Sequence, residues 1–305
     1  MNNHVSAFDD AKAIAIIKES LQPIEPQLPN VLPEKYRGCL FPQRISHLPD
    51  IQCVLFDIYG TLFVSAAGDI GTGSGYLRGN IDEFALAYTE DSTGEELKHY
   101  FREEVIKTHE LLFPVTPYPE VQVENIWEVF PGRRQDISPA EFALRYELAV
   151  NPVCPMPGTL ETLTKLQSMG IKLGIISNAQ FFTPLLFEAC FGKSLQALGF
   201  TEELLIYSYK EGEAKPAPSL FRKAKDYLDG QHIPAEHCLY VGNDMLNDIY
   251  GAQTFGFKTA LFAGDRRSLR LRENSRITDN TIPTLVLNDI TNITDLLSGG
   301  VHVSP

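Results

Sequence analysis

The chain has 305 residues, with 26 Lys and Arg against 39 Asp and Glu, and a formal charge of −13 at pH 7. At 44% hydrophobic and 21% charged residues, it has the composition of a soluble globular chain with a large core, built as one large domain or two. The acidic excess argues against nucleic acid and anionic membrane surfaces as partners, yet leaves room for a small anionic substrate wherever a bound cation reverses the local field.

No stretch approaches the length of apolar residues that a membrane helix needs. The N-terminus carries acids and lacks a basic segment leading into an apolar run, so no signal peptide is expected. Cys39, Cys53, Cys154, Cys190 and Cys238 are widely spaced and form no CxxC, and no HExxH occurs. This pattern disfavours a disulfide framework or a zinc site and favours a reducing, cytoplasmic setting.

Residues 1–50 open with an expected helix near 9–21. A stretch punctuated by Pro23, Pro26, Pro29, Pro33 and Pro42 follows. Repeated prolines suppress helix and central strand, so this segment reads as an extension packed on the main body. The first strong strand is Gln52–Phe56, nearly all apolar, as expected of a strand buried on both faces. Ser65–Gly79 is Gly-rich with no Gly-Lys-Ser/Thr ending, and reads as a linker rather than a phosphate loop.

From 80 to 149 the pattern is helical, with helices expected near 81–89, 94–113, 120–130 and 138–149. Leu97, Phe101, Val105 and Ile106 recur at helical spacing, as do Phe142, Leu144 and Leu148. No comparable strand run occurs there. After Pro157-Gly158 strands and helices alternate. Helices are expected over Thr159–Met169, Pro184–Cys190, Pro218–Asp229 and Met245–Thr254. Strands are expected over Ile171–Ile176, Leu204–Tyr209, Cys238–Val241, Lys258–Phe262 and Thr284–Leu287. Alternation implies an α/β fold: a Rossmann-like parallel sheet core with an inserted all-helical cap domain. The division is 1–50 as extension, 51–65 and 150–305 as core, and 66–149 as cap.

Active groups in parallel sheets gather beyond the C-terminal strand ends. Four such places here carry polar groups: Asp57 with Tyr59-Gly60-Thr61, Ser177-Asn178, Lys215-Pro216, and Asn243-Asp244 with Asp248. Asp57 is either a nucleophilic carboxylate or the cap of a turn. Thr61 and Ser177 could donate to an oxyanion or cap the helices that follow. Lys215 could neutralise an acidic intermediate or be a solvated surface charge. Asp244 and Asp248 lie one helical turn apart, and with Asp57 they would repel one another unless a cation joins them. Mg²⁺ suits such an all-oxygen set.

The motifs FDIYGTLF, IISN, AKPAPSLF and VGNDMLNDIYGA, in this order, resemble those of the haloacid dehalogenase-like hydrolase superfamily over Gln52 to about Leu287. The resemblance places a helical cap between the first and second motifs. It implies that Asp57 is the nucleophile and forms an aspartyl intermediate. Thr61, Ser177 and Asn178 would orient the transferring group, and Lys215 would pair with the nucleophile. Asp244 and Asp248 would hold Mg²⁺ with Asp57 and the Tyr59 carbonyl. The cap would exclude water and select the substrate.

Tyr59 departs from the phosphatase pattern, which has there a second aspartate that protonates the leaving group. Losing such an acid–base group costs roughly 10²–10⁴-fold in rate. The FDxYGTLF form resembles 2-haloacid dehalogenases instead, whose halide leaves without a proton. The Asp244/Asp248 pair resembles the metal-dependent branch. Arg78 and Arg102 are the nearest candidates for a dehalogenase cap arginine, and Lys107 is a remote candidate for Schiff-base chemistry. The fourth motif weighs more, because clustered carboxylates need a cation while Tyr59 only removes an assistant. The reading is therefore a Mg²⁺-dependent phosphomonoesterase of a small anionic metabolite. The alternatives are a dehalogenase and a ligand-binding domain with little turnover. Cap surfaces or the N-terminal extension could serve homodimer formation.

Overall fold

In the computed structural model, which describes residues 9–43, 45–67 and 78–298, eight strands are seen. They are β1 (Cys53–Phe56), β2 (Phe63–Ser65), β3 (Val153–Pro155), β4 (Lys172–Ser177), β5 (Phe200–Tyr207), β6 (Cys238–Gly242), β7 (Lys258–Phe262) and β8 (Leu285–Leu287). All but β2 and β3 form one sheet in the order β5-β4-β1-β6-β7-β8, and every pairing in it is parallel. The central β1 reads CVLF, and each of its side chains is shielded from water. Helices cover both faces of a parallel sheet, so its middle strands must be apolar throughout. Burying Val54, Leu55 and Phe56 contributes on the order of 1.5–3 kcal/mol each.

Helices are α1 (Asp10–Ser20), α2 (Glu34–Arg37), α3 (Arg78–Tyr88), α4 (Gly94–Leu112), α5 (Val123–Glu128), α6 (Pro139–Val150), α7 (Thr159–Ser168), α8 (Leu185–Phe191), α9 (Ser208–Glu211), α10 (Pro218–Gly230), α11 (Gly251–Gln253) and α12 (Asn292–Ser298). Helices α3 to α6 form the insertion. Its ends leave and re-enter the core through β2 and β3, which pair antiparallel from Phe63↔Pro155 to Ser65↔Val153. Reciprocal Thr93 and Glu96 hydrogen bonds start α4, and Ser138 followed by Pro139 starts α6. The insertion has its own aromatic core. Trp127 stacks on Phe101 with ring centroids 5.6 Å apart and meets Phe142 at 4.9 Å and Tyr146 at 4.7 Å.

The N-terminal helix α1 packs on α8 of the core and on α6 of the insertion. Lys12 Nζ reaches Glu141 Oε2 at 2.6 Å. None of the described helices is long and apolar enough to cross a membrane.

Three elements differ from expectation. The strand expected over Leu204–Tyr209 runs from Phe200 to Tyr207, and Ser208 opens α9 instead. Ser208 turns away because its hydroxyl accepts the Ala179 N–H at 2.8 Å. The helix expected over Met245–Thr254 is a wide π-turn from Met245 to Tyr250 followed by α11. The Asp244 carbonyl there accepts from Asp248 N–H at 3.0 Å and Ile249 N–H at 3.1 Å, an arrangement frequent at functional sites. The third expected cap helix starts at Val123, because residues 118–120 are extended against a core loop. Of the Gly-rich stretch Ser65–Gly79, residues 68–77 lie outside the described residues.

Candidate active site

Phe56 pairs with Ile175 on one side and Val241 on the other, so β1, β4 and β6 end within two residues of one another. That register brings Asp57, Ser177 and the 243–248 turn to one sheet edge. Gly60 has φ of 80°. A side chain there would also strike Ser268 and Asn243. Gly242 is equally confined, since any Cβ would collide with Asp248.

Lys215 is the centre of the arrangement. It arrives on the loop after α9, and its N–H donates to Asn178 Oδ1 at 2.7 Å. Its ammonium donates to Asp57 Oδ1 at 2.7 Å, to Asp248 Oδ1 at 2.6 Å and to the Tyr240 hydroxyl at 3.1 Å. The Ser177 hydroxyl donates to the same Asp57 Oδ1 at 2.8 Å. Among the described residues, none donates a hydrogen bond to Asp57 Oδ2. Asp248 Oδ2 accepts the Asp244 N–H at 2.9 Å. Asp57, Lys215, Asp244 and Asp248 are all nearly buried, which makes each charge depend on its partners.

Electrostatics follow from this burial. Desolvation opposes the Lys215 charge, but Asp248 and Asp57 outweigh it and push its pKa up. Burial, with Asp57 and Asp244 nearby, pushes Asp248 up to about 7 against the pull of Lys215. Burial and the Asp248 and Asp57 charges push the Tyr240 phenol up, so it stays neutral.

The cleft above these groups has a volume of about 40 Å³ and is lined by Asp57, Tyr59, Asn178, Lys215, Asn243, Asp244, Asn247, Asp248, Ser268 and Arg270. That is room for a few waters or one compact group. Of the residues expected from sequence, Asp57, Tyr59, Asn178, Lys215, Asp244 and Asp248 line it. Ser177 lies behind Asp57 and is committed to it. Thr61 is fully buried, and its hydroxyl donates to Asn243 Oδ1 at 3.4 Å rather than into the cleft. Arg102 and Lys107 do not line the cleft; both are exposed, and Lys107 bonds Glu104 on its own helix. The Arg78 side chain lies outside the described residues.

Tyr59 is 7% exposed and its hydroxyl bonds Thr183 Oγ1 at 3.1 Å. Burial first, then the Glu147 carboxylate, pushes its pKa up, so the phenol is neutral and is no base at ordinary pH.

Asn243, expected at this edge but given no role, lines the cleft, and sequence reasoning missed Tyr240, Ser268, Arg270 and Arg272. Arg272 holds Asp244 with two nitrogens: Nη2 donates to Oδ2 at 2.6 Å and Nε to Oδ1 at 3.1 Å. Asp244 Oδ1 also accepts Leu246 and Asn247 N–H. The run of arginines from 266 to 276, in an acidic chain, was the one available signal for this loop.

A model of the haloacid dehalogenase-like hydrolases matches residues 51–256. Glyceraldehyde 3-phosphate phosphatase of Pyrococcus abyssi is 34% identical over 107 residues, 35% of this chain and 42% of that protein. Ribulose-1,5-bisphosphate 5-phosphatase of Halopiger xanaduensis is 28% identical over 145 residues, 47% of this chain and 56% of that protein. The chain thus spans about half the length of the curated relatives it matches. The solved 2-haloacid dehalogenase of Pseudomonas syringae pv. Tomato superposes with a TM-score of 0.50 at 17% identity, covering 81% of this chain and 98% of that one, a likeness of fold. With the family model covering the motif-bearing core, the chain belongs to the haloacid dehalogenase-like hydrolases, a superfamily of enzymes.

Proposed function

We propose that the protein is a Mg²⁺-dependent phosphomonoesterase of a small phosphorylated metabolite, with Asp57 as nucleophile. The observation that carries this reading is the asymmetry of Asp57. Ser177 and Lys215 hold Oδ1, while Oδ2 is left without a protein partner on a residue that lines the cleft. Oδ2 would attack phosphorus, forming an Oδ2–P bond as the bond to the ester oxygen breaks. Water would then attack the aspartyl phosphate and release inorganic phosphate and the free carboxylate. Lys215 would offset the carboxylate charge and fix the direction of attack.

Among the described residues no three acidic, His or Cys side chains form a ready metal cage. Mg²⁺ does not require one: it keeps several waters and takes one or two carboxylates plus substrate phosphate. The donor set fits that habit. The carboxylates of Asp57, Asp244 and Asp248 and the Tyr59 carbonyl are the groups that would hold the ion. When bound it would shield the phosphoryl charge from the carboxylates. Arg272, 38% exposed along its side chain, is the group it must displace from Asp244.

Tyr59 narrows the substrate. Its neutral phenol is tied to Thr183, so the position supplies no carboxylic acid for the leaving oxygen. Substrates whose leaving group needs little protonation, or carries its own proton donor, suit this site best. The names of the two relatives make small phosphorylated sugars the first compounds to try.

The same Tyr59 favours a second reading, 2-haloacid hydrolysis, in which Asp57 displaces halide and no leaving-group proton is needed. One experiment separates the two. Phosphate release from an aryl phosphate is followed with Mg²⁺ and with chelator, and chloride release from 2-chloropropionate is followed in parallel. Mg²⁺-dependent phosphate release is expected. Metal-independent chloride release alone would replace the first reading by the second. Asp57→Asn should abolish whichever activity is found.

A further inference from the structure

Leading into α5, the insertion sends a segment, 118–123, extended up to the first helical residue Val123, into a gap between two core loops. On one side it meets the loop that leads to Lys215. Ala214 N–H donates to the Tyr118 carbonyl at 2.8 Å and Glu120 N–H donates to the Gly212 carbonyl at 3.1 Å. Pro119 lies opposite Glu213 in an antiparallel bridge. On the other side it meets Gln180, three residues beyond Ser177. The Gln180 Nε2 donates to the Val121 carbonyl at 2.9 Å and to Glu120 Oε1 at 3.3 Å. The Gln180 Oε1 accepts the Val123 N–H at 3.2 Å. Gln180 is 2% exposed, and its own N–H donates to Thr183 Oγ1, the partner of Tyr59.

These bonds close a circuit. Insertion segment 118–123 holds the 212–214 loop, the next residue Lys215 donates to Asn178 Oδ1, and Asn178 leads within two residues to Gln180. Gln180 returns to the segment. A lysine side chain has four flexible carbons, so placing its ammonium between two carboxylates depends on where its backbone is pinned. The core anchors this backbone through Asn178, through the Ala217 N–H that donates to the Ala214 carbonyl at 2.9 Å and through the Gly212 N–H that donates to the Ser208 carbonyl at 2.8 Å; the insertion supplies the bonds to Ala214 N–H and the Gly212 carbonyl.

We infer that Gln180 is a positioning residue: it clamps segment 118–123, and through the 212–214 loop sets Lys215 between Asp57 and Asp248. The inference rests on the proposed function only in taking Asp57 and Lys215 as the reacting pair. Seating of the insertion and assembly of the reacting pair are then one event, since releasing the segment removes the backing of Lys215. Val121, Val123, Ile126 and Trp127 remain in the apolar core, so loss of the Gln180 bonds loosens the segment without dissolving the insertion.

The test is Gln180→Leu, with Gln180→Glu as a second variant that keeps the size and the acceptor for Val123 but loses the amide donor and faces Glu120. Hydrogen–deuterium exchange by mass spectrometry is read on the full chain without ligand. Exchange in peptides covering 118–123 and 212–215 should rise about tenfold or more, with β1, β4 and β6 peptides and the Tm close to wild type. In steady-state assay kcat should fall about tenfold while KM changes less than about twofold, as expected when an interaction made only in the transition state is lost. Unchanged exchange at 212–215 in the variants that fold, or faster exchange there with wild-type kcat, would overturn the inference. If the wild-type protein releases neither phosphate nor halide, the function reading fails and the exchange data alone decide the clamp.

Discussion

Arg272 grips Asp244 with a fork of three hydrogen bonds, from Nη2 at 2.6 Å and from Nε at 3.1 and 3.2 Å. The grip is built into the backbone. Arg272 has φ of 53°, a conformation that a bulky residue seldom adopts, and its carbonyl accepts the Ser275 N–H at 2.9 Å and the Thr278 hydroxyl at 3.0 Å. Asp57, Asp244 and Asp248 therefore face two protein cations, Lys215 and Arg272, before any ion arrives.

If Asp244 holds Mg²⁺ as proposed, Arg272 and the ion compete for one carboxylate. Arg272→Gln should raise Mg²⁺ affinity about tenfold, a free-energy change of about 1.4 kcal/mol. Calorimetric titration of the free protein measures it directly. The same variant should melt lower than wild type in chelator and recover with added Mg²⁺. An unchanged Kd would show that Asp244 is not a ligand.

Lys215→Met should be far costlier than a surface charge deletion. It leaves Asp57 and Asp248 facing each other in a site that water hardly reaches. Breaking a buried ion pair by removing one partner costs about 3–5 kcal/mol. Urea unfolding followed by tryptophan fluorescence would measure the loss. A change below about 1 kcal/mol, the range of exposed pairs, would mean that the lysine is solvated in solution.

Tyr59→Asp puts a carboxyl two residues after Asp57, the proposed nucleophile. It removes the Thr183 bond, so some stability is lost. Activity on alkyl phosphates, which have poor leaving groups, should rise relative to aryl phosphates by about 10²-fold, the lower end of general acid catalysis. The ratio of the two kcat/KM values is the readout. An unchanged ratio would mean that proton supply does not limit this enzyme.

Acid should loosen α1 from α6. Burial works against the Glu141 charge, but Lys12 and Arg145 outweigh it and hold its pKa below the ordinary 4.5. A depressed carboxyl contributes stability that is fully present above its unfolded pKa and is lost as pH falls through the folded value. The window is therefore below about pH 4.5. Lys12 is 57% exposed, so the contribution is screened to under about 1 kcal/mol. Glu141→Gln should lower stability at neutral pH and flatten the acid limb of the unfolding curve; a parallel shift of the whole curve would contradict this.

The residues legible in the sequence were those that follow an apolar run directly. Asp57 after CVLF and Ser177 after LGII announce themselves because each is the first polar side chain at the end of an unbroken apolar run. Lys215 and the Asp244/Asp248 pair came from loop motifs at the same edge. Tyr240 was not legible, because it sits inside the strand it serves. Its hydroxyl matters only because Lys215, Asp248 and the Ile176 carbonyl all come within reach of it. Arg272 was hidden among neighbouring arginines, and only its backbone conformation and docking distinguish it. Gln180 reads as one polar loop residue until the insertion is folded against it. The pair β2 and β3, three residues each, is too short for periodicity to register. The π-turn at 245–250 has helical composition, and its extra width depends on contacts around Asp244.

The ladder of β2 and β3 gives the insertion two feet planted side by side, with Phe63 beside Pro155 and Ser65 beside Val153. A segment that leaves and returns at the same point imposes no span on what it replaces. The parallel sheet would keep its register whether the 87 residues from 66 to 152 or a tight turn joined those feet, as indifferent as a surface loop is to insertions. The sheet thus sets no length for the insertion, and an exchanged or enlarged one would keep Lys215 in place only by bringing its own contact to the 212–214 loop and to Gln180.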